Sequence, residues 1–139
     1  MRTKHTALAA LLLCSTAHAH AYTLDETLDA IRHVESGDYG DDAPRGDGGK
    51  ARGPYQIHKA YWQDSGIPGD WSDCDREPYA RRVVVAYMRR YCPEALEKPD
   101  NVNAERIART HNGGPRGPQK AATARYWRRV QRVLDGEKD

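Results

Sequence analysis

The chain has only three cysteines in 139 residues: Cys14, Cys74 and Cys92. Cys14 falls in the leader described below, so two remain, too few for a disulfide-dense scaffold. Those two do not suit each other. A continuous helix of about 15 residues between them would set its ends ~22 Å apart, whereas a disulfide needs Cα atoms within about 7 Å. The expectation is that Cys74 and Cys92 do not pair.

Other features are missing too. The longest apolar run, Ala7 to Leu13, falls well short of the roughly 20 residues that cross a bilayer. No internal repeat, low-complexity tract or phosphate-binding loop is present. His5, His18 and His20 lie in or beside the leader, and His33, His58 and His111 lack the close spacing of metal ligands. No metal or cofactor is expected. The formal charge is only +2, a small excess for a nucleic-acid binder.

Residues 1–21 do carry a pattern. Arg2 and Lys4 form a basic start, Ala7 to Leu13 an apolar centre, and Ala17-His18-Ala19 and Ala19-His20-Ala21 small-x-small cleavage sites. This predicts export, secreted or periplasmic, with cleavage near Ala21. Residues 22–139 then form one domain with 20 bases and 20 acids. The balance is uneven: residues 22–64 are acidic on average and residues 65–139 basic. A basic face of that kind suits an anionic polymer such as a bacterial wall.

The mature segment reads as mostly helical. "TLDE" at Thr23 to Glu26 is a capping box, and Leu24, Leu28 and Ile31 recur at helical spacing up to Gly37. Residues 37–54, "GDYGDDAPRGDGGKARGP", read as a long loop or short β-hairpin, and a loop of this length is usually functional or disordered. "YQIHKAYWQDSG" reads as a strand end entering a short helix. Residues 76–91 predict a strong helix with Tyr79, Val83, Ala86, Tyr87 and Tyr91 on one face. Asn103 caps a short helix with Ala104, Ile107 and Ala108. A last helix runs from about Lys120 to Leu134, with Tyr126, Trp127, Val130 and Val133 as core candidates. The fold class is α+β, mostly helical, with one small β region.

One residue breaks the first helical pattern. With Leu24 at 0° and about 100° per residue, Leu28 falls near 40°, Ile31 near 340° and Glu35 near 20°. Glu35 is therefore centred on the apolar stripe. Burial and the negative end of the helix dipole would both favour its protonated form, as a general acid requires. A plain structural reading also exists, in which Arg32 or Arg45 pairs with it. Glycoside hydrolysis would need a second, ionised carboxylate, and the loop offers Asp38, Asp41, Asp42 and Asp47, among which pattern does not choose. His111 likewise ends an apolar stripe and is a candidate cleft residue, with Asn112 offering an amide to a sugar. Tyr55, Tyr61 and Trp62 are candidates to stack on sugar rings, and Gln56 and His58, in the same stretch, are candidate sugar contacts.

"VESG", "GPYQIHKAYWQDSGIPGDW", "AYMRRY", "HNGGPRG" and "YWRRVQ" occur in this order over residues 30–131. The series resembles the invertebrate-type lysozymes, the family that includes destabilase. The resemblance implies a lysozyme-like fold and cleavage of the β-1,4 linkage between N-acetylmuramic acid and N-acetylglucosamine in peptidoglycan. It makes Glu35 the general acid. It puts the second carboxylate twelve residues on, at Asp47, with Asp41 and Asp42 as neighbouring candidates. Two departures stand out. The family is rich in cysteine, so this loop must be held by other contacts. Some members cleave isopeptide bonds with a loop serine and a lysine after "QI". Here no serine lies between Ser36 and Ser65, and His58 follows "QI", so that activity is not expected. The readings that compete with hydrolysis are a lytic transglycosylase and a non-catalytic peptidoglycan-binding module.

Overall fold

The computed structural model describes residues 21–137. All of the expected leader but Ala21 lies outside them. Five α-helices carry the architecture: α1 (Leu24–Ser36), α2 (Lys59–Ser65), α3 (Glu77–Tyr91), α4 (Ala104–Gly113) and α5 (Ala122–Leu134). Two short strands, β1 (Ala51–Arg52) and β2 (Ile57–His58), pair antiparallel with Ala51 opposite His58 and Arg52 opposite Ile57. Among the described residues no helix is long and apolar enough to cross a membrane.

The helix ends follow local chemistry. Thr23 Oγ1 accepts from the Glu26 amide at 3.1 Å, and Glu26 Oε2 accepts from the Thr23 amide at 2.8 Å. This is the expected capping box, and it satisfies two amides that the first turn leaves unpaired. Asn103 Oδ1 caps α4 by accepting from the Arg106 amide at 3.0 Å. The start of α3 is capped from a distance: the Glu77 amide donates to Asp41 Oδ1 at 2.7 Å.

Leu28, Ile31, Tyr55, Ile57, Val83, Val84, Met88, Ile107 and Val130 are almost fully buried and form the centre of one core. Each large aliphatic side chain placed there contributes roughly 1.5–3 kcal/mol. Helix α1 packs on α5, α5 on α4, and α2 on α3, which brings the C-terminal ends of α1 and α4 together beside the small sheet. The apolar faces differ in detail from the sequence pattern. Ala86 and Tyr91 on α3, and Trp127 and Val133 on α5, are only half-buried, whereas Ala80, Val84 and Met88 are enclosed. On α1, Leu24 is half-buried and Thr27 fully buried. Thr27 tolerates this because its hydroxyl donates to the Thr23 carbonyl at 2.8 Å.

Cys74 and Cys92 are both free and buried. α3 separates them as a continuous helix, and they pack as small apolar residues. Burial pushes the Cys74 thiol up to about 12. The long loop contains two short 3-10 turns, Gly40–Asp42 and Asp47–Gly49, before it enters β1.

Candidate active site

Glu35 lies in the last turn of α1, and its side chain is 19 % exposed. The helix continues through Ser36, whose hydroxyl donates to the Pro54 carbonyl at 2.9 Å, so the last turn is tied to the far end of the loop. Neither nearby arginine pairs with Glu35. Arg32 Nη1 instead donates to the Gly37 carbonyl at 3.2 Å. The partners of Glu35 come from other helices. The Tyr126 hydroxyl, on α5, donates to Oε1 at 2.7 Å. His111 Nε2, at the end of α4, stands 3.5 Å from the same oxygen. No hydrogen bond is made by Oε2 among the described residues.

His111 is held on both ring nitrogens. Nε2 lies 3.1 Å from the Tyr55 carbonyl, and Nδ1 lies 3.1 Å from the Tyr61 hydroxyl. A carbonyl only accepts, so Nε2 carries the hydrogen and Nδ1 of the neutral ring accepts from Tyr61. Tyr61 is in turn stacked on Tyr87, with ring centroids 3.6 Å apart. Burial raises the Tyr61 and Tyr126 hydroxyls well above their ordinary range. Both therefore remain protonated donors.

Asp47 comes from the loop. It opens a 3-10 turn in the left-handed region, with φ of +49°, and Gly48 and Gly49 continue it at +63° and +91°. Aspartate tolerates this conformation better than most residues. Its carboxylate is exposed and faces His58 Nε2 at 3.6 Å. The Gly46–Ala51 bridge closes the turn. Gln56 clamps it: its Nε2 donates to the Pro44 carbonyl at 3.0 Å and the Gly53 carbonyl at 2.9 Å. A side chain at Gly46 would put its Cβ 2.1 Å from the Gln56 amide oxygen, so the Gln56 clamp in this position depends on glycine there. Below the turn, Arg52 pairs with Asp75 through Nε–Oδ1 at 3.1 Å and Nη2–Oδ2 at 2.5 Å.

Glu35 and Asp47 line one cleft of about 290 Å³, together with Ala51, Gln56, His58, Tyr61, His111 and Asn112. The structure thus gathers seven of the expected site residues, Tyr61 among them. Of the four loop aspartates only Asp47 lines the cleft, since Asp41 is taken by its cap on α3. Two expected sugar contacts stand elsewhere. The Tyr55 side chain is fully buried, with its hydroxyl on Glu77 and Arg81. Trp62 packs on the core and donates to the Tyr79 hydroxyl at 2.8 Å. Both are packing aromatics, which period alone does not distinguish from ring-stacking ones. Tyr126 was legible only as core, because its polar partner is 91 residues away. Among the described residues no group of three or more His, Cys, Asp or Glu side chains is arranged to hold a metal ion.

A profile of the destabilase family matches residues 25–133. The chain belongs to the invertebrate-type lysozyme and destabilase family. An invertebrate-type lysozyme of Caenorhabditis elegans is 34 % identical over 131 residues, covering 87 % of this chain and 92 % of its own. A lysozyme of Meretrix lusoria is 41 % identical over 88 residues, covering 58 % of this chain and 66 % of its own. Against that and three further lysozymes of the family the chain spans 42–66 % of their length. The crystal structure of Tapes japonica lysozyme matches with a TM-score of 0.67 at 33 % identity, covering 83 % of this chain and 94 % of that one. The fold is therefore lysozyme-like. This chain's loop is fastened by the Gln56 amide, the Asp41 cap and the Arg52–Asp75 pair, with no disulfide among the described residues.

Proposed function

We propose that the chain is an exported muramidase, and that residues 22–139 hydrolyse the β-1,4 linkage between N-acetylmuramic acid and N-acetylglucosamine in peptidoglycan. The observation that carries this reading is the convergence of Glu35 and Asp47 on one cleft. Glycosidases work with such a carboxyl pair across an oxocarbenium-like transition state. Glu35 is the general acid. Tyr126 and His111 fix Oε1, and Oε2 delivers the proton to the glycosidic oxygen. Asp47, exposed on the cleft, is the second carboxylate, which stabilises the developing positive charge, attacks it, or activates water. Asn112 and His58, both exposed on the cleft wall, supply polar contacts to the sugar. Membership of a lysozyme family supports the substrate class.

The test pairs turbidity clearing of bacterial walls with analysis of the released muropeptides. Glu35→Gln is expected to retain its helical circular-dichroism signal and to lose lysis by about 10²–10⁴-fold, the usual loss on removing a general acid. Asp47→Asn is expected to lose about 10²-fold or more. Full lysis by Glu35→Gln would sink the assignment. Anhydro-muropeptides from the wild-type chain would make it a lytic transglycosylase instead. Binding to walls without fragment release would make it a binding module.

A further inference from the structure

Helix α5 carries Arg125, Arg128, Arg129 and Arg132 at i, i+3, i+4 and i+7, all exposed and on one face. Three of them, Arg125, Arg128 and Arg129, line a groove of about 520 Å³. All four border a second depression of about 430 Å³ further along the same helix. The groove adjoins the cleft. Asn112 lines both, and Tyr126, whose hydroxyl holds Glu35, forms part of the groove wall. Arg129 Nη2 also donates to the carbonyl of Val34, the residue before Glu35, at 3.2 Å. The arginine row thus begins beside the candidate acid.

Arg125, Arg128 and Arg129 share the lack of a carboxylate partner among the described residues with Arg82 and Arg89 of α3, and differ in this from several other arginines. Elsewhere Arg52, Arg76, Arg81, Arg106 and Arg109 each pair with a carboxylate. Among the described residues no carboxylate lies within salt-bridge distance of Arg125, Arg128 or Arg129. The acid bordering the second depression, Asp135, accepts from the Tyr22 hydroxyl. Arg125, Arg128 and Arg129 therefore present guanidinium groups without a carboxylate partner to whatever enters the groove.

We propose that this face of α5 is a second substrate site, which binds the carboxylates of the peptides attached to the glycan strand. This deepens the muramidase reading and rests on it. Where the lactyl carboxyl of muramic acid is tied up in its amide to the peptide, the N-acetylated glycan backbone is neutral, so the anionic groups of such strands lie on the peptide. Planar guanidinium groups match carboxylates with two parallel hydrogen bonds. A strand seated in the cleft would lay its peptide substituents along the adjoining groove. The α5 row would then favour peptide-bearing strands over a β-1,4 glycan that carries no acid groups.

The test is sedimentation binding, with the Glu35→Gln chain as parent so that nothing is cleaved. The ligands are purified insoluble peptidoglycan freed of phosphate polymers and, as the peptide-free glycan, chitin, an insoluble β-1,4-linked N-acetylglucosamine polymer with no peptide and no carboxylate. Arg125→Glu/Arg128→Glu, added to the parent, is expected to lose about tenfold or more in affinity for the peptide-bearing polymer, as loss of charged hydrogen bonds gives. It is expected to bind the peptide-free glycan as the parent does. Arg82→Glu/Arg89→Glu on α3 makes the same charge change on exposed residues elsewhere and is expected to change affinity less than about twofold. Equal losses from the two pairs would reduce the effect to bulk charge and overturn the proposal. So would equal losses on both polymers, no loss at all, or a loss seen only on walls that retain phosphate polymers. Failure of the muramidase reading is separately visible, as a wild-type chain that releases no muropeptides.

Discussion

Glu35 and Asp47 line the same cleft and are held in opposite ways. Glu35 stands on a capped helix of 13 residues, and the contacts to its carboxylate come from two further helices. Those contacts are partly buried and backed by a chain of ring packing through His111, Tyr61 and Tyr87. Asp47 stands on an exposed turn in a left-handed conformation, fastened by one amide side chain, one bridge and an ion pair below it. A general acid must hold its proton at a fixed point of the reacting bond, and a rigid helix end provides that. The second carboxylate acts through charge across a gap, and a turn that adjusts to the sugar serves it. The division puts conformational freedom on the side of the cleft where the polymer must enter.

The comparison breaks most readily at Gln56. Its amide makes both hydrogen bonds that close the turn onto Pro44 and Gly53. Gln56→Ala is expected to lower wall lysis by roughly 5–30-fold, the factor given by one to two kcal/mol of lost positioning. The melting temperature should hardly move, because the core is untouched. Limited proteolysis should cut more readily within residues 37–54. Unchanged activity with an equally protected loop would show that the bridge and the ion pair suffice without the amide.

On the rigid side the corresponding change is smaller. Tyr126→Phe removes the hydroxyl that donates to Glu35 and keeps the buried ring. His111 Nε2 remains beside Oε1, so the carboxylate keeps one neighbour. We expect kcat to fall by about tenfold or less, with KM unchanged, since the contact is to the acid and not to the sugar. A larger fall than in Gln56→Ala would mean that Glu35, not Asp47, is the more weakly held of the two.

The two regions also differ in how far the sequence describes them. The capping box, the apolar stripe and Gly37 together mark α1 and set Glu35 on its inner side, because a helix has a period that side chains must obey. The loop has no period. The four aspartates at 38, 41, 42 and 47 look alike in sequence, and only folding commits Asp41 to the amide of Glu77 and turns Asp47 into the cleft. Gln56, counted among the sugar contacts in sequence, spends its amide hydrogens on the loop itself. Tyr55 and Tyr126 show the same limit for aromatics. Both sit at apolar positions, yet one hydroxyl meets Arg81 and Glu77 while the other meets Glu35. Such pairings join elements far apart in the chain, and no local pattern records them.

The smallest effect is expected beneath the loop, at Arg52. Its guanidinium holds the Asp75 carboxyl below the usual carboxylate range, mainly through their hydrogen bonds. A carboxyl lowered in this way stabilises the fold above its unfolded value of about 3.9. That contribution is lost as pH falls further, through the folded value. Asp75 is 40 % exposed, so solvent screens much of the pair. Arg52 also lies over the Trp71 ring, 5.0 Å from its centroid, and that packing does not titrate. Arg52→Ala should therefore lower the melting temperature by a few degrees at neutral pH, and the gap from wild type should narrow in acid to the part owed to packing. Lysis should fall by no more than about twofold, because Gln56 still closes the turn that carries Asp47. A gap of the same size at neutral and at strongly acid pH would assign the whole effect to the Trp71 contact and leave the Asp75 pair with no part in holding the loop.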